Sequence, residues 1–152
     1  MAEAGPIPTT EATADERMMA TLAHVLQIVG WWIAPLTVFL IKRDSKFVSF
    51  HALQALFLQI FYMVLMMLFV ALWFTGFFVM IAHAPAAKEA PVGFFMLMPL
   101  IWLGWAGAWV TMLVIAILFG IKAGRGEWAE YPILGLLARR ALNIGPRGVS
   151  RP

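Results

Sequence analysis

The residues of this chain best equipped for chemistry are a few polar side chains stranded in apolar sequence. Thr21, His24 and Gln27 share one face of a helix, with Trp31 beside them, and His51, Gln54, Gln59 and Tyr62 share a face of another. Neutral imidazole in an apolar segment is the usual axial ligand of haem or a chlorophyll-type pigment, which makes His24 the possible cofactor ligand. The competing use is structural: polar groups in hydrocarbon are costly unless paired, so both faces should look inward and hydrogen-bond across helices, at roughly 0.6 kcal/mol per contact. If the chain turns near residues 44 and 45, residues equidistant from that turn lie at equal depth. Gln27 then meets Tyr62, with Gln59 one turn away, and His24 and His51 fall near opposite membrane faces, where they cannot share a metal. His83 belongs to a loop. There is no cysteine, nucleophile–base pair, carboxylate dyad or phosphate loop, so neither catalysis nor a metal site is expected. None of the eight acidic residues lies in an apolar stretch, which argues against proton-coupled transport.

Three stretches must position these groups. Met18 to Ile41, Phe47 to Ala82 and Val92 to Ile121 contain no Asp, Glu, Lys or Arg. Each exceeds the roughly 20 residues that cross about 30 Å of hydrocarbon as a helix. With 62% hydrophobic and 12% charged residues, the chain is expected to be an all-α integral membrane protein. It divides into an acidic tail (1–17), a three-span domain (18–121) and a basic tail (122–152). The acidic start does not resemble a secretory n-region, so the first stretch stays in the mature protein. Gly30 and Pro35 interrupt that stretch, which predicts a kink or, alternatively, a re-entrant hairpin. The second stretch is longer than the hydrocarbon, so Phe47 to Gln54 should lie in the interface. Pro99 suggests that the third crossing runs from Pro99 to Ile121.

Of eleven Lys and Arg residues, nine lie in Lys42–Lys46 or in 122–152. The positive-inside rule therefore places that loop and the C-terminus in the cytoplasm, and the N-terminus and the His83–Pro91 loop in the periplasm of a bacterial inner membrane. After Gly124 and Gly126, Leu134, Leu137, Ala138, Ala141 and Leu142 recur at helical spacing, with Arg139, Arg140 and Asn143 opposite. This pattern predicts a C-terminal amphipathic interfacial helix with Arg139 and Arg140 facing lipid. Trp102, Trp105 and Trp109 form one stripe on the third span, and Gly104, Ala108 and Thr111 form a small-residue row. Small residues admit close backbones, so the row is expected to pack within the protein and the tryptophans to face a partner or lipid. The basic pI follows from topology rather than from nucleic-acid binding.

Two blocks are more specific than the apolar spans. One is Asp15-Glu16-Arg17-Met18-Met19-Ala20-Thr21-Leu22-Ala23-His24 with Ile41 to Leu56, which contains Phe50-His51-Ala52-Leu53-Gln54-Ala55. The other is Ile121-Lys122-Ala123-Gly124-Arg125-Gly126-Glu127-Trp128 with Tyr131-Pro132. Over about residues 15 to 135 the chain resembles an uncharacterised family of small bacterial membrane proteins, distantly similar to the twenty-kilodalton Tic component of chloroplast protein import. The resemblance implies a membrane fold and, as one alternative, protein or lipid translocation. The reading of the whole is a non-enzymatic accessory or scaffold subunit of a larger membrane complex, with other membrane subunits and phospholipid as partners. A pigment- or haem-binding subunit through His24 is the further alternative.

Overall fold

A computed structural model describes residues 11–83 and 92–144. Every regular element among them is a helix: α1 (Ala14–Gly30), α2 (Ile33–Ile41), α3 (Lys46–His83), α4 (Val92–Gly124) and α5 (Leu134–Ala141). The expectations for most of the acidic tail, the His83–Pro91 loop and the final residues fall largely or wholly outside the described residues.

The first apolar stretch is two helices and not one crossing. α1 starts at a capping box, in which the Thr13 hydroxyl accepts from the Glu16 N–H and the Glu16 carboxylate accepts from the Thr13 N–H. It ends at Gly30, and Trp31 takes a left-handed φ of 51°, an uncommon conformation for a bulky residue. A Cβ on Gly30 would stand 2.7 Å from that of Ala34, so this tight reversal requires glycine. Pro35 then falls in the first turn of α2, where its missing N–H breaks no helical bond. The two helices pack against each other. Their far ends meet where Lys42 Nζ donates to Asp15 (2.6 Å) and Ser45 Oγ donates to Glu16 (2.7 Å).

This hairpin corrects two expectations. The first stretch is not one long helix, and among the described residues α3 and the Met98–Gly124 part of α4 are the two helices long and apolar enough to cross a membrane. The start of α1 and the Lys42–Lys46 loop lie together at one end of the hairpin, not at the two ends of one long helix. Pro99 lies inside α4, which begins at Val92.

The chain forms two compact units, one from Met1–Gln59 and Ala116–Pro152, the other Ile60–Ile115. In the first, Ala23 and Val38 of the hairpin pack on Val48 and Ala52 of α3. Ala20, Phe47 and Ala123 form a second cluster, and Phe50 and Leu53 pack with Ala138 and Ile144. α1 approaches the end of α4 over Gly120 and Gly124, where a Cβ would lie 3.3 Å from Val25 Cγ2 and 3.0 Å from Thr21 Oγ1. In the second unit, Trp105 stacks on Phe69 of α3 (5.4 Å between centroids) and lies against Tyr62 (5.1 Å).

Candidate functional site

The first unit is organised around a chain of buried polar groups. Tyr131 Oη lies 2.8 Å from His24 Nδ1, His24 Nε2 lies 3.0 Å from His51 Nδ1, and His51 Nε2 lies 3.1 Å from the Glu127 carbonyl oxygen. One end fixes every proton. A carbonyl only accepts, so His51 carries its proton on Nε2 and accepts at Nδ1. His24 then donates from Nε2 and accepts at Nδ1, and the Tyr131 hydroxyl donates to it. Both imidazoles are neutral in this arrangement.

Gln54 reinforces the same contact. Its Oε1 accepts from the Tyr131 N–H (2.6 Å) and its Nε2 donates to the Ala129 carbonyl (3.2 Å). Trp128 lies edge-on to Phe47 and tilted against Phe50, and Tyr131 packs against Phe119. Phe47, Phe50, His51 and Gln54 recur at helical spacing on α3 and so present one face to the segment from Glu127 to Tyr131. The segment reaches them because α4 stops in a Schellman turn, with Gly126 at φ 80° and bonds from Gly126 N to Ala123 O and Glu127 N to Lys122 O. Burial pushes the Tyr131 phenol well above its ordinary range, which the neighbouring Gln27 amide offsets in part. That amide lies close to the phenol but makes no hydrogen bond of good geometry.

The predicted site residues separate. His24 is completely buried with both ring nitrogens engaged, so axial ligation to a pigment or haem would require breaking one of these bonds. Gln27 and Gln59 do meet, but through Gln59 Nε2 and the Gln27 backbone carbonyl (3.0 Å). The Tyr62 hydroxyl is buried without a hydrogen-bond partner and its ring lies on Trp105. Trp102 and Trp109 are exposed, Trp102 by 67%, while Trp105 turns inward. The small-residue row is reversed as well: nothing lies within 4 Å of a Cβ on Gly104. Arg140 is exposed. Arg139 is only 7% exposed, donates from Nε to Glu130 (2.7 Å) and covers the Phe50 ring. α5 therefore buries Gly135, Ala138 and Arg139 and exposes Leu136 and Leu137, a different face from the one that hydrophobic spacing suggests.

Sequence reasoning missed two features. His24 and His51 are within hydrogen-bonding distance because the chain reverses at Trp31, which puts both a similar distance from the Asp15–Ser45 end. The close helix approach uses Gly120 and Gly124, whose spacing of four was visible but was passed over for the Gly104, Ala108 and Thr111 row. Among the described residues no group of three or more His, Cys, Asp or Glu is placed to hold a metal ion.

Fold and site together define a helical membrane protein whose buried polar groups tie its own loops and helices together. Residues 15–138 match the model of the MamF/MmsF family, the magnetosome magnetite crystal formation protein family. The chain belongs to that family, whose members are magnetosome membrane proteins involved in magnetite crystal formation. This corrects the resemblance to a Tic-like family, for which no similarity is found. No curated protein and no solved structure matches the chain.

Proposed function

We propose that this chain is a non-enzymatic scaffold subunit of the membrane in which magnetite crystals form. Family membership supplies the setting. The observation that carries the scaffold reading is the Tyr131–His24–His51–Glu127 chain, whose donors and acceptors are all engaged in holding the protein to itself. Such a network fixes shape and leaves no poised acid, base or nucleophile. The exposed apolar faces of α3 and α4, with Trp102 and Trp109, then meet lipid and neighbouring membrane subunits.

In this reading α3 and α4 cross the membrane and the α1–α2 hairpin enters and leaves on one side. The count of Lys and Arg makes that side cytoplasmic, so the N-terminus is cytoplasmic together with the Lys42–Lys46 loop and the C-terminal segment. Reporter fusions at both ends should therefore read cytoplasmic; a periplasmic N-terminus would break the topology.

The functional test is removal of the gene from a magnetite-forming host. Crystals should change in size or shape by electron microscopy, and a tagged copy should fractionate with crystal-bearing membranes. Rescue by a Tyr131→Phe, His51→Leu double variant that no longer folds normally would sink the scaffold reading. Unchanged crystals together with uniform membrane distribution would sink the magnetite setting.

A further inference from the structure

α1 carries opposite charges on different faces. Asp15 and Glu16 turn to Lys42 and Ser45, whereas Arg17 lies against the turn after α4. A Cβ on Gly126 would stand 3.4 Å from Arg17 Cδ. Arg17 Nε donates to the Ala12 carbonyl (3.0 Å), which steadies the side chain, and Arg17 has no ion-pair partner among the described residues. Arg125, exposed in the adjoining turn, has none either.

Beside Arg17 opens a cleft of about 420 Å³ lined by Ala14, Arg17, Met18, Thr21, Leu22 and Gly124. The Thr21 hydroxyl is taken up by the carbonyls of Arg17 and Gly120, so Arg17 supplies the cleft's free polarity. Met18, Leu22, Val25 and Val29 continue from it at i, i+4, i+7 and i+11 along one face of α1. Met18, Val25 and Val29 are exposed. This stripe covers about 17 Å of helix, the greater part of an extended acyl chain.

We propose that this cleft binds an anionic phospholipid, with Arg17 on the phosphate and one acyl chain along Met18, Leu22, Val25 and Val29. The guanidinium fork matches phosphate geometry. An unpaired cation at the polar end of an apolar track has the complementary pattern to a charged headgroup with its tail. A soluble anion would leave the track unused. The proposal rests on the membrane setting of the chain and is independent of any part in magnetite formation.

The test uses the full-length protein in nanodiscs of mixed phosphatidylglycerol and phosphatidylcholine, with retained lipids counted by native mass spectrometry after release into detergent. Phosphatidylglycerol should be retained preferentially, and Arg17→Gln should reduce that retention roughly five-fold, the effect of one surface cation at about 1 kcal/mol. Arg17→Lys should retain part of the preference, and Arg140→Gln, outside the cleft, should leave it unchanged. A Met18→Ser, Val25→Ser variant, which keeps Arg17, should also retain less lipid; unchanged retention in it overturns the proposal even if Arg17→Gln proves unstable. Equal losses for Arg17→Gln and Arg140→Gln would mean diffuse surface attraction and overturn it. Displacement of the lipid by inorganic phosphate, itself bound in an Arg17-dependent way, would make the site one for free phosphate and overturn it too.

Discussion

The two units of this protein are held by different means. Among the described residues, the buried His, Gln, Ser and Arg side chains all belong to the first unit: His24, Gln27, Ser49, His51, Gln54, Gln59 and Arg139. In the second unit, Thr75 and Thr111 bond only to carbonyls of their own helices, and the ring contacts of Trp105 join α3 to α4. Lipid is as apolar as leucine, so apolar helices gain little by hiding from it, and packing, small residues and interhelical hydrogen bonds must specify the arrangement. The first unit has all three. In the second, aromatic packing is prominent and the small-residue row is exposed at Gly104. Polar groups that look like candidates for a cofactor site are therefore, in this chain, what gives one unit a defined interior.

Substitutions in the two units should separate these means. The largest effect is expected from His51→Ala, which leaves the His24 Nε2–H and the Glu127 carbonyl without partners and opens a cavity. At about 1–3 kcal/mol per orphaned group, the loss should be roughly 3–4 kcal/mol in denaturant titrations of the micelle-bound protein. A loss under about 1 kcal/mol would mean that the chain of bonds is not what holds the Glu127–Tyr131 segment.

Leucine at a glycine gives a direct contrast. Gly124→Leu must displace α1 from α4 and should cost about 1–3 kcal/mol, whereas Gly104→Leu, with open space around its Cβ, should stay within about 0.5 kcal/mol. The opposite ranking of melting temperatures would return the close packing to the Gly104 row. Tyr131→Phe is smaller again: His24 Nδ1 loses its donor, at about 1–2 kcal/mol, without a change in packing. His24 resonances in NMR spectra should shift while those of Trp105 stay in place.

The smallest effect concerns the base of the hairpin. The Ser45 hydroxyl, followed by the Thr13 N–H, holds the Glu16 carboxyl below its ordinary value of 4.5. A depressed carboxylate contributes stability that is fully present above its unfolded value and is lost as pH falls through the folded one. Melting temperatures of the wild type and Glu16→Gln should thus differ near neutral pH and converge once the pH has fallen through the lowered folded value of Glu16. At the other extreme, the hydrogen bond and charge of Asp15 raise the Lys42 pKa above 10.5. That contribution is present below the ordinary value and fades above the raised one, outside the range of this test.

Much of the fold was legible. Uncharged stretches identify a helical membrane protein, and the end of α4 is written in Gly124 and Gly126, whereas the start of α1 at the Thr13–Glu16 capping box fell in what was read as an acidic tail. The two blocks around His51 and Trp128 stood out as specific, and they are the segments that meet. Their partnership was not legible, because nothing in either block states which other segment it touches. Reading Met18–Ile41 as one helix carried consequences outward: it separated His24 from His51 and hid the contact of Asp15 with Lys42.

The sequence by itself determined the solvent, the helices and the set of polar groups that must find partners, since composition and spacing are local properties and hydrocarbon tolerates few alternatives. Only the tertiary structure decided the partners. One residue at Trp31 with a left-handed backbone turns a crossing helix into a hairpin, and that reversal resets the depth of every residue before it. Helical periodicity likewise marks the faces of α4 and α5 but not which face turns inward. Close approach at Gly120 and Gly124, and burial of Arg139 against Glu130 and Phe50, settle that choice through contacts between residues distant in the chain.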